Sequence, residues 1–381
     1  MIRMLTAYTR EVDDAQEAVE ELLSQLDLPG KQLKHSIGIV MCYAEFLDTG
    51  VIQALSERLP FEIVGCTTIA GGVNGASDIA ILTLSVLTSD DVTFETALSE
   101  PVTGSEEDKY GAIRPLLRED TALVLCFLPF VQNLGGELIL SEMTETAGSV
   151  PIFGTVASDH TVDYHISSAI YHDTPHNDRV AMVVISGAVT PRFLVTSISD
   201  RRVRKQKAMI TKSDGSVLQE VNGLPVMEYL DSVGLALGNG FEGVNTIPFM
   251  VDYEDGAQPV ARAMYLRTPE SHIICGGAMP EGATLSLGTI DEEEVVQTST
   301  EEARAIITGA GEVHGVLMFS CLSRLQVLGF ERSREMNILD SILGDTPYQI
   351  CYAGGEICPV YRNENDSVNR FHNFTIVACI L

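Results

Sequence analysis

Apolar and polar positions follow one pattern that occurs three times along the chain, in residues 36–87, 122–186 and 314–381. Each copy begins with a short apolar run typical of a buried strand and continues with a helical stretch, a second strand, a turn and a closing strand. In the first copy, Val51 and Leu55 stand at helical spacing between two such runs. The sequence therefore predicts three β-α-β-turn-β units.

A strand, a helix and a strand joined in this way form a parallel pair with a right-handed crossover, and the closing strand adds an antiparallel neighbour. Helices then cover one face of each mixed sheet, and the other face needs a second sheet against it. Amphipathic helices are also predicted at 12–26 and from Ile290 onward. We therefore predict an α/β fold, a two-domain mixed-sheet αββα sandwich built from βαββ units, with domains at residues 1–220 and 221–381.

Charge and hydropathy limit the kinds of molecule that the chain can bind and indicate its location in the cell. Acidic residues outnumber basic ones 53 to 24, and the net charge of −29 disfavours binding to nucleic acid or to an anionic membrane. The longest apolar runs, 79–87 and 179–189, are shorter than the roughly 20 residues of a membrane helix. The first residues lack the apolar core of a secretion signal. We expect a cytoplasmic protein without a membrane span.

Two further features of composition have plain structural interpretations. The eight cysteines are scattered singly, mostly in apolar runs, so we expect small buried thiols and no disulfides. The segment 200–207 contains five of the 24 basic residues. It is interpreted as a solvated linker strand, with a docking patch for an acidic partner as the alternative.

The third copy carries the most concentrated candidate chemistry. Its first strand leads into Cys321-Leu-Ser-Arg324, and its second leads into Ala353-Gly-Gly-Glu356. Ligands of open α/β sheets bind at the carboxyl ends of the strands. The two glycines predict a tight turn in which the backbone and one carboxylate approach a bound molecule.

Four short motifs carry a family resemblance: Gly65-Cys66-Thr67, Cys321-Leu-Ser-Arg324, Gly355-Glu356-Ile-Cys-Pro359 and His372-Asn373. With them the chain resembles the FIST proteins over nearly its whole length, with a FIST N-terminal half up to about residue 220 and a FIST C-terminal half after it. The resemblance implies an intracellular sensory domain that binds small molecules, usually amino acids, and signals to kinases or cyclic-nucleotide enzymes. No such output segment is recognised, so a separate histidine kinase or cyclic-nucleotide signalling enzyme is the expected partner.

The residues expected to bind the ligand come from these motifs. They are Cys66, Thr67, Cys321, Arg324, Gly355, Glu356, His372 and Asn373.

Arg324 and Glu356 together predict a clamp for a zwitterion. The planar guanidinium of Arg324 suits a carboxylate, and the Glu356 carboxylate suits an ammonium group. For Arg324 the alternative is an ion pair with a structural acid such as Glu331 or Glu335. For Glu356 the alternative is a surface acid in a turn.

The expected sensor has no catalytic activity, no cofactor and no metal. Two other functions stay open as alternatives to it. A thiol near Arg324, such as Cys321, would be acidified and could serve a cysteine-dependent enzyme, although no hydrolase motif accompanies it. Part of the FIST family is similar to haem-binding nitric-oxide sensors, so a haem ligand is the second alternative. Its candidate ligands are His160, His165, His172, His176 and Cys358.

Two spacings in the sequence match motifs without the context that those motifs need. His172-x-x-x-His176 has the spacing of metal ligands on a helix, but Pro175 makes a helix there unfavourable. Residues 238–243 match a dinucleotide fingerprint by letters only, since no clear strand precedes them. We predict neither a metal site nor a nucleotide site.

Overall fold

The computed structural model describes the chain from Met1 to Leu381 except residues 133, 162, 236, 238–245, 310, 364 and 365. The glycine-rich segment 238–243 therefore lies outside the described residues. No helix in the described part has the length and hydropathy that crossing a bilayer requires.

Three repeats of one supersecondary pattern make up the body of the molecule, as the sequence predicts. The first repeat contains β1 (Ile2–Thr9), α1 (Ala15–Leu26), α2 (Leu28–Lys31), β2 (His35–Cys42), α3 (Glu45–Asp48), α4 (Val51–Arg58), β3 (Ile63–Thr67), β4 (Ala70–Val73), β5 (Ala76–Asp78) and β6 (Leu82–Ser89). The second contains β7 (Val92–Leu98), a 3-10 helix (Gly111–Leu116), β8 (Thr121–Leu128), α5 (Gly136–Ala147), β9 (Ile152–Val156), β10 (Ala169–Tyr171), β11 (Thr174–His176) and β12 (Ala181–Gly187).

The third repeat has the same order but is interrupted by an inserted sheet. The insertion contains β14 (Ala208–Asp214), β15 (Val217–Val221), β16 (Leu224–Pro225), α6 (Val226–Ser232), β17 (Phe249–Asp252), β18 (Val260–Arg262), β19 (Met264–Arg267), β20 (Ile273–Cys275) and β21 (Thr284–Leu287). The repeat itself contains β13 (Arg192–Thr196), α7 (Glu292–Thr308), β22 (Val316–Cys321), α8 (Leu322–Leu328), α9 (Arg334–Leu343), β23 (Tyr348–Ala353), β24 (Glu356–Asn363), β25 (Asp366–His372) and β26 (Ile376–Ile380). The predicted division at residue 220 falls inside this insertion, where β15 pairs with β14 and β20.

The three repeats exchange hairpins in a cycle. The sheet orders are β1-β6-β2-β3-β10-β11, β7-β12-β8-β9-β24-β25 and β13-β26-β22-β23-β4-β5. Each sheet thus has four strands of one repeat and a hairpin from another, and its central pair is parallel. Because every repeat gives one hairpin and receives one, none of the three sheets is complete without another repeat.

One apolar core lies between the three sheets, and further clusters lie under the outer helices. The central core takes Ile39 and Met41 from the first sheet, Leu125 from the second, and Leu317 and Phe319 from the third. Outer clusters form beneath α1 and α4, beneath α5, and beneath α7 and α9. The α/β class, the mixed sheets and the helix-covered stacking are confirmed, but three sheets share the core where a two-sheet sandwich is predicted.

Two local predictions change with the structure. Residues 353–359 do not form a simple turn, because β24 begins at Glu356 and crosses to β9 of the second repeat. The segment 200–207 does not present a free basic patch: Arg201 and Arg202 form ion pairs with acids at the start of α7, including the buried Glu294. All eight cysteines are buried free thiols.

Candidate functional site

Arg324 lies at the strand ends of the third repeat, but its guanidinium is already paired. Arg324 is fully buried, and its Nη2 lies 2.6 Å from Oε1 of Glu335 in an ion pair in which both side chains are inaccessible. The remaining N–H groups donate to Thr298 Oγ1, Ser299 Oγ and the Val295 carbonyl, all at 3.0–3.4 Å. The predicted clamp is therefore not formed, and the alternative partner Glu335 holds Arg324.

The carboxyl of Glu356, unlike the guanidinium of Arg324, is only partly hydrogen bonded. It is fully buried, its Oε2 accepts a hydrogen bond of 2.7 Å from Thr375 Oγ1, and its Oε1 has no partner among the described residues. Burial raises the pKa of Glu356 well above its usual range, although the Thr375 hydrogen bond, the Arg324 charge and hydrogen bonding by the Cys321 thiol oppose this shift. A buried carboxyl with an unpaired oxygen is costly, so its presence needs an explanation beyond packing.

The other two repeats show that the fold does not need an acid at this position. By strand register, Glu356 pairs with Thr155, Ala169 with Cys66 and Gly71 with Cys351, so these three residues occupy the same position in the exchanged hairpins. All three positions are buried. Two repeats have a small residue there, Gly71 or Ala169, and only the third places a carboxyl there.

The neighbours of Glu356 also differ between the repeats. Thr375 and Cys321 belong to the third sheet, where the Cys321 amide donates to the Thr375 carbonyl. By strand register, the corresponding residues are Ile81 and Arg179 for Thr375, and Tyr43 and Pro129 for Cys321. Ile81 and Pro129 are buried, whereas Tyr43 and Arg179 are half-buried. The other two repeats therefore do not reproduce the pair of Thr375 and Cys321.

Cys321 contributes a neutral thiol to this cluster. Burial, together with the nearby Glu356 carboxyl, raises the pKa of Cys321 to about 12. The expectation that Arg324 acidifies this thiol is wrong, because Glu335 takes up the guanidinium charge. Since the thiolate is the reactive form, the arrangement disfavours nucleophilic chemistry at Cys321.

Two tyrosines that the sequence analysis does not single out complete the cluster. Burial and the neighbouring Cys321 and Glu356 raise the pKa of Tyr265, whose hydroxyl is desolvated although the residue is 41% exposed. Burial, Cys321 and Asp159 likewise raise the pKa of Tyr164. Cys321 contributes to the raised pKa of both phenols. Tyr265 comes from β19 of the inserted sheet.

The backbone beside the cluster is unusual at two bulky residues. Tyr164 has φ 53° and Phe374 has φ 58°, in the left-handed region that non-glycine residues rarely adopt. Phe374 is fully buried and precedes Thr375 directly, whereas the Tyr164 ring packs against Phe130 at 5.1 Å between centroids. Such strain is found most often at functional sites.

Cys66, Thr67 and Gly355 are held by the scaffold rather than gathered around Glu356. Cys66 lies in the central core, and Thr67 Oγ1 accepts a 2.9 Å hydrogen bond from the Ser168 amide. A Cβ on Gly355 would lie 2.2 Å from the Phe371 ring, so the glycine is needed for packing. Ligand contacts by these three residues stay a prediction.

Asn373 joins the inserted sheet to the body, whereas His372 contacts β24 within the body. His372 is buried with Nε2 3.1 Å from the Cys358 carbonyl, and burial lowers its pKa to about 3. Asn373 Oδ1 accepts a hydrogen bond of 3.1 Å from the amide of Ala263, which precedes β19. Both residues thus have structural contacts, and ligand binding by them stays a prediction.

A second buried arginine reinforces this junction. Arg262 of the insertion is fully buried and donates to Glu137 Oε2 at 2.8 Å and to the Phe371 carbonyl at 2.7 Å. Glu137, in the first turn of α5, also accepts a 2.6 Å hydrogen bond from the Ala278 amide. These contacts join the insertion to the second and third repeats, and no short sequence motif predicts them.

The candidate haem histidines have separate partners, and Cys358 lies on β24 with Glu356. His160 stacks on Tyr43, and His165 contacts Asp163 at the surface. His172 is in the tight turn between β10 and β11, so a helical metal motif is absent there, as Pro175 predicts. Among the described residues, no three His, Cys, Asp or Glu side chains converge as metal ligands.

The family assignment follows from comparison with domain models. Residues 36–224 match the FIST N domain, and residues 226–359 match the FIST C domain. Since these matches span most of the chain, it belongs to the FIST family. FIST domains are associated with small-ligand sensing in signalling proteins rather than with catalysis. The sequence has no match among curated proteins.

Solved structures give only distant similarity. Cyanuric acid hydrolase from A. caulinodans is 10% identical, with a TM-score of 0.32 and coverage of 100% of this chain and 98% of that one. PurLQS from Thermotoga maritima is also 10% identical, with a TM-score of 0.22 and coverage of 100% and 72%. Similarity at this level says nothing about activity.

Proposed function

We propose that this chain is a cytoplasmic sensory protein that binds a small ligand at Glu356 and relays its occupancy to a separate signalling partner. One observation carries the proposal: Glu356 is a fully buried carboxyl with an unpaired oxygen, at a position where the other two repeats have Gly71 and Ala169. A ligand N–H group would complete its hydrogen bonding. The proposal involves no cofactor and no covalent chemistry.

The ligand class and the partner follow from family membership and from the cluster together. Amino acids are the ligands that the family resemblance implies, and their ammonium group suits Glu356. A ligand that also contacts Tyr265 would favour one position of the inserted sheet, because a ligand shifts a conformation only by binding one state better. A histidine kinase or a cyclic-nucleotide enzyme is the proposed reader of that change.

A thermal-shift screen of the full chain against amino acids, amines and other metabolites tests this function. Binding to the native state at about 100 times Kd should stabilise it by about 2.7 kcal/mol. We expect at least one compound to raise the Tm of the wild type and of Glu302→Gln, but not of Glu356→Gln. Glu302 is the matched control, since it is a buried acid with an unpaired oxygen outside the cluster. A broad panel without any Glu356-dependent stabilisation would contradict the proposal.

A further inference from the structure

The turn between β25 and β26 contacts both the inserted sheet and Glu356. Three residues separate these two strands, Asn373, Phe374 and Thr375, which we call the 373–375 turn. All three are fully buried, and each has different neighbours. Their contacts connect the candidate site with a part of the insertion that is distant in the sequence.

Asn373 forms the contact with the insertion. Its Oδ1 accepts a hydrogen bond of 3.1 Å from the Ala263 amide, and its Nδ2 donates to the His372 carbonyl at 2.9 Å. The insertion approaches the same side chain at Gly276, where an added Cβ would collide with Asn373 Oδ1. Because Asn373 is buried and bonded on both sides, it follows any movement of the insertion.

Thr375 forms the contact with the candidate site. Its Oγ1 donates a hydrogen bond of 2.7 Å to Glu356 Oε2, and its carbonyl accepts one of 2.9 Å from the Cys321 amide. The bond to Oε2 orients the Glu356 carboxyl and so determines the direction of Oε1, which has no partner among the described residues. A displacement of Thr375 therefore changes the group that the proposed ligand would meet.

Phe374 makes the turn stiff. Its φ of 58° lies in the left-handed region that a bulky residue rarely adopts. Its side chain belongs to an apolar cluster that contains Ala261 and Ala263 of the insertion and Val295 and Leu328 of the body. Such a backbone conformation persists only where the surroundings determine it. The turn therefore transmits a displacement from one end to the other instead of absorbing it.

We infer that the 373–375 turn couples the Glu356 carboxyl to the position of the inserted sheet. A movement of the sheet displaces Asn373 and, through the stiff turn, alters the hydrogen bond from Thr375 to Glu356. Coupling between two sites is reciprocal in free energy, so a change at Glu356 or Thr375 must alter the contact between Asn373 and Ala263. As a means of relaying ligand occupancy, this coupling rests on the proposed function.

Hydrogen exchange of the full chain without ligand tests the coupling from the Glu356 end. Thr375→Val keeps the shape of the side chain but removes the donor, so exchange of the Ala263 amide should rise by at least about threefold. Thr375→Ser keeps the donor and should restore wild-type exchange. The matched control is Thr155→Val, since Thr155 is equally buried and donates at 2.9 Å to the Gly355 carbonyl outside the turn. Exchange in β12 reports any global opening.

The reverse direction is tested from the insertion. Gly276→Ala adds a methyl group against Asn373, whereas the neighbouring Gly277→Ala adds one against Arg262 and Glu137. The readout is the chemical shift of the ¹³C-labelled Glu356 carboxyl carbon, assigned by its loss in Glu356→Gln. We expect this shift to change several times more in Gly276→Ala than in Gly277→Ala. If Gly276→Ala fails to fold, the Thr375 series decides alone.

The inference is overturned if Thr375→Val and Thr155→Val change the exchange of Ala263 equally, or if Gly276→Ala leaves the Glu356 signal unchanged. Equal changes of that signal in Gly276→Ala and Gly277→Ala would also overturn it, because the movement would then reach Glu356 by another route. Neither experiment uses a ligand. The coupling can therefore be confirmed where no ligand of Glu356 is found, and it can fail where the proposed function stands.

Discussion

Glu335 and Glu356 are two fully buried acids of the same repeat, and they differ in how completely they are paired. Glu335 receives hydrogen bonds from Arg324, Ser299 and Ser320, which lower its pKa although burial alone would raise it. Glu356 receives one hydrogen bond, from Thr375, and its Oε1 has no partner among the described residues. Glu302 also has an unpaired oxygen, so neither burial nor an unpaired oxygen marks a site by itself. Glu356 differs from both acids by its position at the start of an exchanged hairpin.

The largest effect on stability is expected at the ion pair between Arg324 and Glu335. Glu335→Ala should destabilise the protein by about 3–5 kcal/mol, because it leaves the Arg324 charge buried without a partner. Urea unfolding followed by circular dichroism measures this loss. The double variant Arg324→Met with Glu335→Leu should recover much of it, since an apolar pair replaces the ion pair. A loss below about 1 kcal/mol in the single variant would show that the pair is not structural.

The next largest loss of stability is expected at the junction between the insertion and the body. Glu137→Ala removes the carboxylate that pairs with Arg262 and accepts from the Ala278 amide, so a loss of about 1.5–3 kcal/mol is expected. Hydrogen exchange should show the loss mainly in β18 and β19. On the same helix, Glu142→Ala breaks a more exposed pair with Lys109 and should cost less than about 1 kcal/mol. Equal losses in the two variants would argue against a special junction.

These comparisons show what the sequence could and could not predict. The strands β22, β23 and β26 and the helix α9 of the third repeat were predictable, because local periodicity reflects the burial of one face. Spacing also suggested Glu335 as one of two alternative partners for Arg324, but it could not choose between a structural acid and a ligand. That choice depends on how α9 packs beside α8, and local sequence patterns do not determine this packing.

The site itself depended on long-range pairing. Glu356 pairs with Thr155 of the second repeat, about 200 residues earlier, so its place in a strand rather than a turn was not visible locally. Tyr265 reaches the cluster from an inserted sheet whose own sequence gives no sign of that destination. The hairpin exchange was hidden for the same reason, although the three copies themselves were evident.

A smaller, pH-dependent effect is expected at Glu302 on α7. Burial raises the pKa of Glu302 to about 8 from 4.5, while the Thr196 hydroxyl and Arg324 oppose the shift and Glu335 adds to it; Cys358 also faces this carboxyl. Because the folded state holds the proton more tightly, this group makes stability fall as pH rises from about 4.5 to about 8. The slope is at most about 1.4 kcal/mol per pH unit.

Glu302→Gln removes this contribution, so the difference in unfolding free energy between variant and wild type should grow from pH 6 to pH 8. Urea unfolding at several pH values measures that difference, in which the contributions of Glu356 and His372 cancel. A constant difference would mean that Glu302 is ionised in the folded protein.

The smallest effect on stability, and the most informative, is expected at Glu356. Glu356→Ala places in the third repeat the residue that Ala169 provides at the same position of the second, and the first repeat has Gly71 there, so the junction should still fold. The variant also removes an acid whose burial is poorly compensated, which offsets the packing lost with the side chain. We therefore expect a change within about 1 kcal/mol at pH 7 by urea unfolding, together with complete loss of ligand-induced stabilisation. The reciprocal change Ala169→Glu, which buries an acid without a Thr375 equivalent, should be clearly more destabilising. If Glu356→Ala instead cost as much as Glu335→Ala, the carboxyl would be part of the scaffold, and the contrast between the two acids would disappear.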